Sequence, residues 1–589
     1  MDGLNIVGAT DYPAEQFDHI EVLDGLSGAI YGPANPAGTF NYVLKRPTPV
    51  QLATVRLGVG TGGSFLRSAD VSNTIGAVGY RVNLLDEDGG SYARTSRLSR
   101  KLASLALDFH IDDRTVLETN YSYYRFVQRG YPPTFGLAAG IPFPKDIDPA
   151  GPSYGQTYAG QANETHTASA RLKHEFNDDW RLSASVLQQY ADRQTTQVQD
   201  TFTNTRGGYT STIQTATASR FVVTSNLVHL NGTVRTGSIS HAITVGTTGV
   251  QMGNYNPKAG NTVTLGSASL ANPALFAQPT FPDFTNRYRS ANAFQQALIL
   301  SDTVTLTPQW SLQLTGSQSW LTANNYNVTD LRTSTSYASG FSPSLSVLYK
   351  ILPNLTSYVT YASSLQQGDT APVGSTNANS ILAPFRSEQV EAGLKLALSQ
   401  KIDLTLAAFQ ITRPFAFIDA RTLAFGNGGQ QRNRGVDVGI NGEVLPGLAV
   451  FGGIEYLDPQ LQSTNSPVTS NKQIVGLSNF VGSVLVRYSV PQAPGLVLDG
   501  FVKHASNRAT DNANLFYAPG FTTLDLGVEY ALPIRGRTIM ARLDAYNVTN
   551  TRYLTNILPG GLNGYTGAGN ASASLGRPRT IQASLQAYF

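Results

Sequence analysis

Along much of the chain, apolar and polar residues alternate one by one. In the last segment Ile581, Ala583, Leu585, Ala587 and Phe589 alternate with Gln582, Ser584, Gln586 and Tyr588. Leu524, Leu526, Val528 and Tyr530 interleave with Asp525, Gly527 and Glu529. The same pattern runs through Val390–Leu396 and Trp310–Thr315. A period of two marks strands with one apolar and one polar face. Helical periodicity is weak throughout.

The connections sharpen this. Short turn signals recur at Asn73–Thr74, Asp112–Asp113, Asn177–Asp179, Thr236–Gly237, Thr307–Gln309, Leu352–Asn354, Ser399–Lys401, Leu445–Gly447, Pro491–Pro494 and Pro533–Gly536. Alternating strands flank each of them, as hairpin chemistry requires. Between successive short turns the chain runs out as a strand, through a longer Gly/Asn/Ser/Pro-rich loop, and back. Phe126–Asn163, Gly253–Ala291 and Gln366–Pro384 are examples of such loops. Short connections on one side and long ones on the other are the pattern of an outer-membrane barrel. Ten short turns join eleven strand–loop–strand units, which predicts about 22 antiparallel strands from near Gln51 to Phe589. In hydrocarbon every backbone N–H and C=O needs a protein partner, so the sheet must close on itself. A soluble propeller or set of sandwiches is the bland alternative. Such folds bury both faces of most strands, whereas here one face is rich in Gln, Ser, Asn and charge, as a water-filled lumen wants.

Composition agrees. Charged residues make up 14% of the 589, and aromatics 10%, against roughly 25% charged in ordinary soluble domains. The net charge of +3 is too small to suggest a nucleic-acid partner, and the absence of cysteine excludes disulfides and Cys-based metal sites. No apolar run approaches the ~18–20 residues of a membrane helix. Met1, Asp2 and Gly3 lead straight into Leu4–Val7 without a basic region or cleavage site, so the protein is either cytosolic or preceded by further sequence.

Catalytic chemistry is not in view. None of His19, His110, His166, His174, His229, His241 and His504 stands in a zinc-protease spacing, and no nucleophile elbow or phosphate loop occurs. His166 and His174 read as surface or girdle residues. No metal-ligand set, catalytic residue or cofactor is expected.

A barrel of about 22 strands encloses a lumen that is normally plugged. Only residues 1–47 lie outside the expected wall at 48–589. Phe17–Pro47 reads FDHIEVLDGLSGAIYGPANPAGTFNYVLKRP. It resembles the last part of the plug domain of TonB-dependent outer-membrane siderophore receptors, matching at Ile20, Glu21, Val22, Leu23, Gly25, Ser27, Tyr31, Gly32, Asn35, Pro36, Gly38, Asn41, Lys45, Arg46 and Pro47. Phe385–Lys395, Asn427–Pro459, Tyr546–Tyr553 and Leu575–Phe589 resemble the family's barrel strands. The terminal Phe589 resembles the aromatic ending read by the barrel-assembly machinery. Glycines and the Asn-Pro step permit tight turns in a crowded lumen, and Val22, Leu23 and Ile30 are expected to form the plug's small core.

The resemblance implies a monomeric receptor in the lipid of the bacterial outer membrane that imports ferric siderophores. It would be driven by TonB and its inner-membrane energising complex. Iron would arrive already chelated, so the ligand needs aromatic and basic groups at the extracellular mouth rather than iron ligands. By type and placement the candidates are Tyr31, Tyr124, Arg125, Arg129 and Tyr131. The family's plugs are longer and begin with a TonB box. Met1 is therefore expected to be an internal methionine, with a signal peptide and TonB box upstream. A chain starting here could not couple to TonB. His19 and Asp24 stand where the family has arginines. Asp24 is expected either to oppose Glu388 or Glu391 or to face another group or water.

Two rival functions remain at this point: a passive or gated diffusion pore, and a receptor for haem, cobalamin or a glycan. Liposome swelling with the 589-residue chain separates the first from a receptor. A plugged receptor admits no small sugars, and energy-independent sugar entry means a pore.

Overall fold

The computed structural model describes residues 1–138, 140–144, 146–151, 154–419, 421–464, 466–534, 536–559 and 571–589. Part of the Phe126–Asn163 loop, and Arg535 within the Pro533–Gly536 turn, lie outside the described residues. The wall is a closed, antiparallel, 22-stranded barrel, as the alternation predicts. Each wall strand pairs with its neighbours in sequence. The ring closes where Leu52–Gly60 pairs with Thr580–Tyr588, from Thr54 opposite Tyr588 to Gly60 opposite Gln582. Phe589 extends this seam by donating its N–H to the Ala53 carbonyl, and the Arg537 guanidinium lies 4.8 Å from its ring.

Alternation sets the two faces. At the seam Val55, Leu57 and Val59 are exposed on the outside, while Arg56 and Gly58 line the interior. His166 belongs to the outer face, where its ring accepts or donates to the Tyr121 hydroxyl at 2.9 Å. The rims differ as expected, with small corrections. The first short turn falls at Gly76–Ala77 rather than Asn73–Thr74, because Gly76, at φ 58°, makes the reversal. The opposite rim also carries short connections, such as Thr61–Gly63, beside its long ones. Several strands rise far above the membrane: Gly208–Thr236 has 29 residues, against the ~9–11 that cross a bilayer.

Residues 1–47 sit inside the ring. Two strands, β1 (Phe17–Leu23) and β2 (Thr39–Leu44), form a separate hairpin, with the short helix α1 (Gly28–Tyr31) between them. The cross-strand pair Glu21 and Asn41 is tied side chain to side chain at 2.8 Å. Asn41 also accepts from the Gly3 N–H. Wall contacts come from all sides. Lys45 reaches Asp70 at 3.0 Å and Arg46 pairs with Asp108. The Val7 N–H donates to Gln189 at 2.9 Å, the Leu26 N–H to Gln389 at 2.8 Å, and the Ser317 hydroxyl donates to the Gly28 carbonyl at 2.8 Å. At Gly28 a Cβ would meet the Ser364 backbone at 2.9 Å, so helix and wall touch main chain to main chain.

The core of this inner segment is not the expected one. Val22, Leu23 and Ile30 are exposed; Met1, Leu4, Phe17 and Leu44 pack instead on Leu187 and Leu227 of the wall. A two-stranded sheet has too little bulk to cover its own faces. Its apolar groups are therefore buried only where the Met1–Leu4 turn and the wall reach them.

The largest apolar cluster lies above the membrane. Thr134–Leu137 runs parallel to the tip of the Trp180–Phe202 strand and antiparallel to Ser572–Leu575, which pairs with Leu554–Leu558. Phe135, Phe202, Tyr209, Leu554, Ile557 and Ala573 form its centre, with Phe135 stacked on Phe202 at 5.4 Å. These loops thereby bridge the rim over the wall strands from Leu52 to Glu175 and act as a lid. Phe135→Ala should weaken this cover by about 3–5 kcal/mol. Amide exchange should then accelerate at Leu554–Leu558 while the wall strands stay protected. Unchanged exchange there would show that the cover does not depend on this core.

Candidate binding cavity at the extracellular mouth

Beneath the lid, against the closing seam, lies a cavity of about 610 Å³. Alternation on the first and last wall strands turns Arg56, Gly58, Gln582 and Ser584 into it, together with Gln128 from the Thr115–Arg129 strand. Tyr92 and Tyr131, from two neighbouring loops, meet edge to face at 5.3 Å over its upper side. Arg577 enters from the last loop, its guanidinium 4.6 Å from the Tyr546 ring. The inner segment supplies Glu15, from the turn that precedes β1.

Glu15 is held by the wall. Arg100 donates to Glu15 at 3.0 Å and to Glu87 at 2.6 Å, so one guanidinium joins the inner segment to the barrel at the cavity's edge. The Arg56 guanidinium makes no hydrogen bond or ion pair among the described residues and is available to an occupant. Burial raises the hydroxyl of Tyr92 to about 12 and that of Tyr131 in the same direction, so both present a neutral O–H at ordinary pH. The cavity thus offers aromatic faces, hydroxyl and amide donors and cationic groups, the equipment of a site for a bulky polar solute. Among the described residues no group of three or more acidic or histidine side chains is placed to hold a metal ion.

The five residues singled out from the sequence are scattered. Tyr131 lines the cavity. Tyr124, only 3% exposed, is buried with Leu85 and Leu102, and its hydroxyl meets Arg100 at the cavity's edge. Arg125 and Arg129 take the opposite alternation from Tyr124 and Gln128, which turns them to the outer face. Tyr31 is half-buried on α1, which packs against strands between Arg287 and Gln366, away from this cavity; burial raises its hydroxyl. Arg56, Tyr92, Arg577, Glu15 and Arg100 were missed. Arg56 and Arg100 had a sequence signal, as charged residues in the inward phase of wall strands; Tyr92, Arg577 and Glu15 come together through loops and the inner segment.

The lumen holds a second charged feature. Glu388 belongs to the outward phase of its strand, where Tyr361 donates to it at 3.3 Å, so it does not oppose Asp24. Asp24 is exposed and interacts electrostatically with Asp437 and Glu455. Glu391 faces inward and accepts from Tyr358 at 2.6 Å and from Gln389 at 2.9 Å. His19 is exposed beside Asp18 and Glu21.

Comparison with known proteins places this architecture. Residues 104–550 match the family described as TonB dependent receptor-like, beta-barrel. The ferrichrome receptor FcuA of Yersinia enterocolitica is 26% identical, over 93% of this chain and 74% of that protein. Among solved structures, BauA, the ferric preacinetobactin receptor of Acinetobacter baumannii, superposes with a TM-score of 0.85 at 22% identity, covering 98% of this chain and 86% of the other. Fiu, the ferric-catecholate import receptor of E. coli K12, does so with 0.83 at 17% identity, covering 100% and 88%. These two share the fold. With its family match spanning most of a closed 22-stranded wall, the chain belongs to the TonB-dependent receptors and is a β-barrel receptor of the bacterial outer membrane rather than an enzyme.

Proposed function

We propose that this receptor binds ferric siderophores in the cavity beneath the lid and passes them inward in a TonB-driven cycle. The observation that carries this reading is that Glu15 of the inner segment and Arg56, Tyr131 and Arg577 of the wall and loops line one cavity. An occupant touches the barrel, the lid and the inner segment at once, so binding outside has a contact through which it reaches the part that must move. Relatives named for ferrichrome and ferrioxamine support iron-chelate cargo. A wall without a free strand edge supports a monomer surrounded by lipid. Iron enters as cargo inside its chelate. The protein supplies stacking surface, hydroxyl donors and cationic hydrogen-bond donors. The outer membrane has no energy source of its own, so net import requires coupling to TonB.

Binding of radio-iron-labelled siderophores to the purified receptor tests this. At least one ferric siderophore should bind, and Tyr131→Ala and Tyr92→Ala should each weaken it by about tenfold, or ~1.4 kcal/mol. Exclusive binding of haem, cobalamin or a glycan would overturn the cargo. Arg100→Met leaves Glu15 and Glu87 without their shared partner, a change that costs about 3–5 kcal/mol for a buried pair and less at this partly exposed one. Hydrogen exchange should rise at residues 14–23 with the wall unaffected; protection equal to the parent's would remove Arg100 as the link.

A further inference from the structure

We infer that the cavity selects ferric chelates of zero net charge, of the tris-hydroxamate kind, over trianionic tris-catecholates. This rests on the reading that the cavity binds ferric siderophores. The observation is the charge balance of the lining. Arg56, Arg100 and Arg577 face Glu15, Glu87 and Asp544, three formal charges of each sign. The pairing is largely internal. Arg100 is taken up by Glu15 and Glu87, and Asp544 by both ends of the Arg542 guanidinium, at 2.8 and 3.0 Å. Behind Asp544, Arg542 also meets Glu529 and Asp499, and Arg487 meets Glu529. Counting that network whole leaves five guanidiniums against five carboxylates.

A trianion entering this space loses hydration and meets no net opposite charge. Moving charge out of water without compensation is costly, and the carboxylates of Glu15, Glu87 and Asp544 add repulsion. An electroneutral chelate carries no such penalty. Its carbonyl oxygens accept from Arg56 and from the Tyr92 and Tyr131 hydroxyls, and its organic shell lies against Leu575 and the tyrosine rings. Selectivity of this form arises from repulsion and desolvation of the wrong partner as much as from contacts to the right one. Arg56 and Arg577 are the groups that temper it, since neither guanidinium is committed to a carboxylate among the described residues.

The test measures equilibrium binding of two radio-iron-labelled probes, an electroneutral ferric tris-hydroxamate and a trianionic ferric tris-catecholate, to the full chain in detergent. The neutral probe should bind at least tenfold tighter. Arg56→Gln breaks no internal contact and should widen that ratio at least threefold by removing a positive charge. A trianion that binds as tightly or tighter, or a ratio unmoved by Arg56→Gln, overturns the inference and leaves siderophore binding standing. Binding of neither probe, nor of any other ferric siderophore, overturns the functional reading and this inference with it.

Discussion

The structure depends on one constraint: in hydrocarbon a backbone N–H or C=O has no water to turn to. A sheet satisfies its interior strands and leaves two edges bare, so the first and last strands must find each other. Here Leu52–Gly60 and Thr580–Tyr588, the most distant strands in the sequence, complete the ring. Everything else in the molecule follows from closing a ring of this size. The outward residues answer to lipid and become apolar. The inward residues answer to water and to the inner segment and become Ser, Gln, Asp and Arg.

A ring this wide cannot be filled by its own side chains, and the interior is organised by polar contacts instead. Lys45 on Asp70, Arg46 on Asp108, Gln189 on Val7 and Gln389 on Leu26 hold residues 1–47 from several sides. Each such bond contributes little net free energy where water competes. That suits a part that must shift during transport, whereas the wall with its continuous ladders does not. Apolar packing is concentrated elsewhere, in the lid above the membrane and in the small patch where Phe17 and Leu44 meet Leu187 and Leu227. The cavity sits where rigid wall, packed lid and polar-bound inner segment meet, and Arg100 ties the inner segment to the wall at its edge.

The wall was legible in the sequence because its rule is local. A strand with lipid on one side and water on the other writes a period of two, and hairpin turns write Gly, Asn and Pro between. The first turn was displaced by three residues because Gly76 makes the reversal. The site was legible only in part. Tyr131, singled out by its type and its place after a strand, lines the cavity. Arg125 and Arg129 share those qualities but stand in the outward phase, and Tyr124 stands inward but buried with Leu85 and Leu102. Phase was readable, since Arg125 is one residue from Tyr124; depth along the lumen and cover by a neighbouring strand were not.

The sequence by itself therefore determined the strand count, the closure into a barrel, the membrane it inhabits and the family, since each rests on patterns within some thirty residues. Tertiary structure alone decided which loops fold over the mouth, that Glu15 meets Arg100 and Glu87, that Asp24 faces Asp437 and Glu455, and that Val22, Leu23 and Ile30 stay exposed. Those outcomes depend on which residues face one another across the lumen. Strand tilt, stagger and loop packing set that relation, and no local spacing in the chain encodes it.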